Sequence, residues 1–167
     1  MPCRAFIGLG SNLGDRKAQI LEAITQIGAL RDVRVVKHSS LYESEPHGEG
    51  AGGWFLNCVI EVETDLLPDK LLRKLRDIER GMGRKRSRAR AGKTEPRPID
   101  LDILLFENHR IDTPTLQVPH PEIPNRRFVL LPLSELAPQF VHPVSGTTIS
   151  QLLTASKDRK RLRLFNG

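Results

Sequence analysis

Asp100 and Asp102, with the arginines and lysines just before them, have the types and spacing that do chemistry. They lie in Arg97-Pro98-Ile99-Asp100-Leu101-Asp102-Ile103-Leu104-Leu105-Phe106. Ile99, Leu101, Ile103 and Leu105 alternate, which predicts a β-strand with these four on its core face. Asp100 and Asp102 then project together from the other face, about 7 Å apart along the strand. Two carboxylates aimed the same way repel unless a cation lies between them. A hard divalent cation such as magnesium takes oxygen ligands, often one or two carboxylates plus phosphate oxygens. Upstream, Arg84-Lys85-Arg86-Ser87-Arg88-Ala89-Arg90-Ala91-Gly92-Lys93 seeks anions. An anion-seeking segment thus leads into a metal-seeking strand, which points to magnesium and a polyphosphate. Each part alone has an ordinary reading, a solvated strand face or a solvated loop. Their adjacency is the signal. Leu104 and Phe106 continue the aspartates' face, so that face is not simply wet, and Pro96 and Pro98 stiffen the approach.

The elements that must hold this strand follow in chain order. Ala5–Gly10 reads as a buried strand. Ser11-Asn12-Leu13-Gly14 is a turn, with Asp15 or Asn12 able to cap a helix that runs to about Leu30. Gly8, Gly10 and Gly14 lack the spacing of a dinucleotide or phosphate loop and are expected to serve a tight strand-to-helix turn. Val33–Glu43 is a second strand, residues 46–53 a glycine-rich loop, and Trp54–Glu63 a third strand. On that strand Phe55, Asn57 and Val59 share a face. An Asn beside an aromatic is ordinary sheet filling, or it reads the edge of a flat heterocycle while the ring stacks on its face. Pro68 opens a second helix with Leu71, Leu72, Leu75 and Ile78 at helical spacing; Gly81 and Gly83 end it, and Glu79 sits in its last turn. After the aspartate strand, residues 107–109 are expected to turn the chain back as a hairpin onto Arg110–Asp112. A loop fixed by Pro119, Pro121 and Pro124 carries His120 and Arg126. Phe128–Leu131 starts a helix that Pro132 is expected to interrupt, and the remainder caps the fold. The order strand, helix, strand, strand, helix, strand predicts an α+β, ferredoxin-like split β-α-β sandwich: an antiparallel sheet with both helices on one face and the other face free.

A length of 167 residues suits one domain, residues 1–167, with a real core. The net charge of +6 is concentrated at residues 84–97 and Lys157–Arg163, which favours a local anionic partner over nucleic-acid coating. Cys3 and Cys58 have no metal-ligand spacing, so reduced thiols in a cytoplasmic protein are expected. There is no signal-peptide pattern and no membrane-length apolar run. A monomer acting on small molecules, with no nucleic-acid or membrane partner, fits this pattern.

The chain resembles the 6-hydroxymethyl-7,8-dihydropterin pyrophosphokinase family along nearly its whole length. The matching pieces are Gly8–Gly14, Ser40–Pro46, Phe55-Leu56-Asn57, Ile78-Glu79, Gly83-Arg84, Pro96–Leu104, Pro119-His120-Pro121 and Asn125–Phe128. Their order and spacing together are specific. The resemblance implies transfer of pyrophosphate from ATP to the pterin hydroxymethyl group, with release of AMP, in folate biosynthesis. It implies that Asp100 and Asp102 bind two magnesium ions, with Asp100 or the metal helping to activate the alcohol. It implies that Arg84 and Arg97 close on the triphosphate, with Arg86 and Arg90 further candidates. Glu79, His120 and Arg126 match nucleotide contacts. Asn57 matches the residue that pairs with the pterin edge, Phe55 and Phe128 the aromatics that sandwich it, and Ser44, Glu45 and His47 the pterin-loop positions. The Trp-Gly-Pro-Arg run common in the family before the aspartates is here a longer segment, Ala91–Arg97, without the aromatic.

Two other classes compete. An RNA-binding module uses the same sheet, but its aromatic Lys/Arg-Gly-Phe-Gly-Phe-type run is missing, and paired aspartates repel a metal-free phosphate backbone. A metal-dependent nuclease would need more carboxylates near Asp100 and Asp102.

Overall fold

The computed structural model describes residues 1–46, 53–84 and 96–167. Strand β1 (Cys3–Ser11) pairs antiparallel with β4 (Phe55–Thr64) on one side and β5 (Asp100–Phe106) on the other. Beyond β4 lie β2 (Val33–His38) and β3 (Tyr42–Ser44), and β8 (Leu162–Leu164) adds to β3 as an outer strand. The expected split β-α-β order is therefore present, with β1 and β4 side by side at its centre.

Two helices cover one face. Helix α1 (Arg16–Gly28) is capped by Asp15, whose carboxylate accepts from Ala18 N at 3.1 Å, and it buries Ile20, Ala23 and Ile27. Helix α2 (Pro68–Gly81) starts at its proline and buries Leu71, Leu75 and Ile78. Against them the sheet turns Ala5, Ile7 and Leu9 of β1, Leu56, Cys58 and Ile60 of β4, and Ile99, Leu101 and Ile103. The opposite face is not wholly free. Helices α3 (Arg127–Leu136) and α4 (Ile149–Ala155) bring Leu130, Leu133 and Ile149 onto Phe6, Val59, Leu104 and Leu105. They leave open the part of that face holding Gly8, Gly10, Asn57 and the aspartates. No helix of the described residues is long and apolar enough to cross a membrane.

Five local expectations are corrected. The Val33–Glu43 segment is two strands, because the backbone at Ser39 turns to bond Val59 in both directions: Ser39 N donates to Val59 O, and Ser39 Oγ accepts from Val59 N, each at 2.9 Å. On β5, Phe6 pairs with Leu105 and Ile7 with Ile103, so Leu104 is an extra, bulged residue. Beyond it the alternation flips: Leu105 joins the α3 face and Phe106 the α1–α2 face. Residues 107–109 do turn, but β6 (Ile111–Asp112) pairs with β7 (Gln117–Val118) in a separate ribbon rather than with β5. Pro132 removes one helical N–H yet α3 runs through it, held by the burial of Leu130 and Leu133. Of the three early glycines only Gly14, at φ 69°, serves the turn; Gly8 and Gly10 lie within β1.

Candidate active site

The bulge at Leu104 comes after the aspartates, so it leaves them on one face. Asp100 lies opposite Gly10 and Asp102 opposite Gly8 on β1. On the other side of β1, Gly10 lies opposite Asn57. A Cβ on Gly10 would stand 3.4 Å from Asn57 Oδ1 and 3.6 Å from Phe55, and one on Gly8 3.4 Å from Leu104. The two glycines thus clear a floor between the carboxylates and the Asn57–Phe55 pair.

Above that floor is a narrow cavity of about 140 Å³. It gathers Ser44, Phe55, Asn57, Arg97, Asp100, Asp102, His120, Arg126 and Phe128 from widely separated parts of the chain. Phe55 comes from β4 and Phe128 from the first turn of α3. Asn57 is buried, and its amide nitrogen donates to Ser44 Oγ at 2.8 Å and Tyr42 O at 3.3 Å. Both amide hydrogens are thereby spent inside the protein, so Asn57 offers its oxygen, not the donor-acceptor pair expected from sequence. Glu45 does not line the cavity; it accepts from Arg161 Nε at 2.5 Å. His47, Arg86 and Arg90 lie outside the described residues.

Beneath the cavity sits a charge network. Glu79, 1 % exposed, accepts from Arg76 at 2.9 Å, Arg84 at 2.9 Å and Leu101 N at 2.8 Å. It stands behind the aspartate strand, below the cavity rather than in its wall. Arg84 also pairs with Asp100 Oδ1, and Arg97 with Asp100 Oδ2 at 2.8 Å. Burial works against the Asp100 charge, but Arg84 and Arg97 outweigh it and hold the carboxyl below the usual range. Asp102 has the opposite fate: desolvation and the Asp100 charge push it up to about 7. Burial alone would weaken the Arg84 cation, yet Asp100 and Glu79 raise its pKa above the ordinary value.

Sequence reasoning missed Arg76. It donates to Leu101 O at 2.7 Å and stands 3.7 Å from Asp102 Oδ1. The available signal was its position three residues before Glu79, which puts both on one face of α2.

His120 is docked on β5 by its N–H to Leu104 O at 2.9 Å, just after a cis Val118–Pro119 bond. Its Nδ1 accepts from Glu122 N at 3.1 Å, so Nε2 carries the proton. Burial, then Arg126, lowers its pKa and keeps it neutral. Beyond Asp102 and His120 opens a wider cleft of about 610 Å³, lined by Arg76 and residues 112–117. The two spaces share Asp102 and His120.

Hard-cation chemistry fits this floor. Asp100 and Asp102 supply oxygen donors, and Asp102 is under-compensated without a cation. Among the described residues no group of three or more His, Cys, Asp and Glu side chains converges as a self-sufficient metal cage. Two carboxylates completed by substrate phosphates are a usual magnesium set.

The fold and this floor define an α+β protein with paired carboxylates and arginines beside a narrow slot. The chain belongs to the 7,8-dihydro-6-hydroxymethylpterin-pyrophosphokinase family, whose model matches residues 6–138. A 2-amino-4-hydroxy-6-hydroxymethyldihydropteridine pyrophosphokinase of Methylorubrum extorquens is 38% identical over 150 residues, 90% of this chain and 91% of that one. The enzyme of the same name from Bacillus subtilis is 44% identical over 135 residues, 81% of this chain and 78% of that one. A crystal structure of Plasmodium falciparum HPPK-DHPS with pteroate shares the fold at a TM-score of 0.71 and 19% identity, over 92% of this chain and 42% of that one. This chain thus spans less than half of that crystallised chain.

Proposed function

We propose that the chain moves the pyrophosphoryl group of ATP onto the hydroxymethyl oxygen of 6-hydroxymethyl-7,8-dihydropterin, as a step of folate synthesis. The alcohol oxygen bonds to the β-phosphorus, the bond from that phosphorus to the α,β-bridging oxygen breaks, AMP leaves and the alcohol proton is released. The observation that carries this reading is the junction of a narrow slot and a wide cleft at Asp102 and His120. A flat ring enters the slot between Phe55 and Phe128, with its donors toward Asn57 Oδ1, near Ser44. The nucleotide takes the cleft, and the reacting atoms meet over the aspartates.

Catalysis of this kind is positioning plus charge neutralisation. Asp100 and Asp102 would hold two magnesium ions. When bound, these supply positive charge to the phosphate oxygens and acidify the attacking alcohol. Arg97 and Arg84, now held by Asp100, are the cations for which the triphosphate competes, and Arg86 belongs to the same basic segment. His120 gives a neutral Nε2–H to a phosphate oxygen, and Arg126 adds charge beside it. Glu79 acts from below by holding Arg76 and Arg84, and Glu45 and His47 belong to the pterin loop. We read the protein as a single-domain cytoplasmic monomer, a compartment with which the free thiols of Cys3 and Cys58 accord.

The test is AMP release from ATP and magnesium, with and without the dihydropterin. Pterin-dependent AMP is expected. ADP would mean transfer of a single phosphoryl group, and folded protein that releases neither would return weight to an RNA-binding module.

A further inference from the structure

The segment Asp158–Phe165 lies past the span matched by the family model, yet it bonds to the immediate neighbours of both aromatic walls of the cavity. One end reaches Arg127, at the start of α3. Helix α3 has no side-chain cap from its own flanking residue, Arg126. Asp158 supplies the missing acceptor: Oδ2 takes Arg127 N at 2.9 Å, while Oδ1 takes Lys160 N at 3.0 Å. A carboxylate there satisfies an orphan N–H and complements the helix dipole. Phe128 is the next residue along.

The other end reaches Ser44, which lies opposite Phe55 on β4. Strand β8 pairs Leu162 with Ser44 and Leu164 with Tyr42, and these two are the acceptors that orient Asn57. Arg161 O accepts from Glu45 N at 3.1 Å. Arg161 and Arg163 stack over Trp54, with guanidinium carbons 5.2 and 4.4 Å from the ring centre. Arg163 Nε also donates to Glu43 at 3.2 Å. Arg16 completes the clamp, bonding Glu43 and Trp54 O at 2.9 Å each. Burial disfavours the Glu43 charge, but the Arg16 and Arg163 bonds prevail and hold its pKa below the usual value. Trp54 leads directly into Phe55.

We propose that Asp158–Phe165 is a strap that sets the spacing of the two pterin walls, with Asp158, Arg161 and Arg163 as positioning residues for pterin binding. A flat ring held between two aromatics loses stacking when either wall shifts. The nucleotide cleft, lined by α2 and the β6–β7 ribbon, shares no residue with the strap. The Arg161–Arg163 end therefore acts on one substrate and spares the other, while the Asp158 end lies one residue from Arg126 and its phosphate role. The inference rests on the pterin reading of the slot.

Trp54 is the chain's single tryptophan, so its fluorescence reports on the clamp directly. Wild-type protein is first titrated with the dihydropterin. Failure to bind would overturn the pterin reading, a result separate from the behaviour of the variants. Arg163→Ala, Asp158→Ala and the double variant are then compared, with Arg163→Lys as the conservative control. Arg163 is 63% exposed, so its truncation leaves the core intact and carries the test should Asp158→Ala fold poorly. The expected result is a pterin KM raised about 10-fold per site, as for the loss of a modest contact. In the Arg163 variants the ATP KM changes less than about twofold and Trp54 emission shifts, and Arg163→Lys recovers part of the pterin affinity. An equal rise in both KM values for Arg163→Ala, or no rise for the pterin, would overturn the strap.

Discussion

Asp102 is the residue at which stability and activity oppose each other. Unfolded, an aspartate loses its proton near pH 3.9; folded, Asp102 loses it only at about 7. Between those values the folded state binds more protons, so this group makes stability fall as pH rises. Removing its charge removes that cost. Asp102→Asn is expected to melt no lower than wild type at pH 7.5 in a chelator, while turnover drops by at least about 1,000-fold for want of a metal ligand. Thermal melts beside AMP assays check both halves; a clearly lower melting temperature would make Asp102 a structural residue. Arg97 has a different signature. It lies at the cavity edge on Asp100 and is free to exchange partners, unlike Arg84, which Glu79 also holds. Arg97→Ala is expected to lower kcat about 100-fold with an ATP KM within about 3-fold, the pattern of a contact strengthened in the transition state. A pure KM effect would assign Arg97 to ground-state binding.

β1 shows how an element makes a site by lacking side chains. Gly8 and Gly10 face the cavity while their neighbours Ile7 and Leu9 face the core. Gly10→Val places a β-branched residue in a strand, which suits the backbone, but its methyl groups enter the space between Asn57 and Phe55. The expected outcome is a folded enzyme whose pterin KM rises at least about 10-fold. Calorimetry with the dihydropterin and an ATP analogue checks it, and unchanged pterin affinity would move the ring off this floor. The same strand shows what sequence could and could not tell. The two aspartates, the apolar alternation and the helix periods follow from local spacing, so the split β-α-β plan, the aspartate pair and the Phe55–Asn57 face could be read, while Ser44 and Phe128 came only with the family resemblance. The glycines' role could not, because it depends on which strand lies opposite. Nor could the bulge at Leu104, since an inserted residue is visible only in the register with β1. The spacing of Arg76 from Glu79 was visible, but its approach to Asp102 was not, because that depends on β5 lying beside the helix.

Across the whole molecule, the sheet is held between two apolar layers, and the second is closed by the connection from α3 to α4. His142 sits at the centre of that connection, 5% exposed. Its N–H reaches Thr147 O at 2.8 Å, and its carbonyl accepts from Gly146 N at 2.9 Å. Its ring Nδ1 accepts from Val144 N at 3.3 Å and Ser145 N at 3.2 Å, so Nε2 carries the proton of the neutral form. That Nε2 is buried without a partner among the described residues. A second proton would have to enter at Nδ1 and displace both backbone donors, and burial lowers the pKa of the ring. Unfolded, the same imidazole takes a proton near pH 6.5. Below that pH the unfolded state binds more protons, so stability falls as pH falls until the folded ring also protonates. Glu43, Glu45 and Asp100, all held below their usual values, lose their charges only in more acid solution, while Asp102 takes up its proton at about pH 7 and works in the opposite sense, so only the difference between wild type and a histidine variant isolates the buried histidines. His120 shifts in the same direction, and a variant is needed to separate the two. His142→Asn keeps a short acceptor for the backbone N–H groups, as an Asx turn does, and does not titrate. Urea melts at pH 7.5 and pH 5 are expected to show a change in stability on acidification that is less unfavourable in His142→Asn than in wild type, the Asp102 contribution being common to both. Equal changes would place the acid sensitivity at His120, inside the site, and not in the layer that backs it.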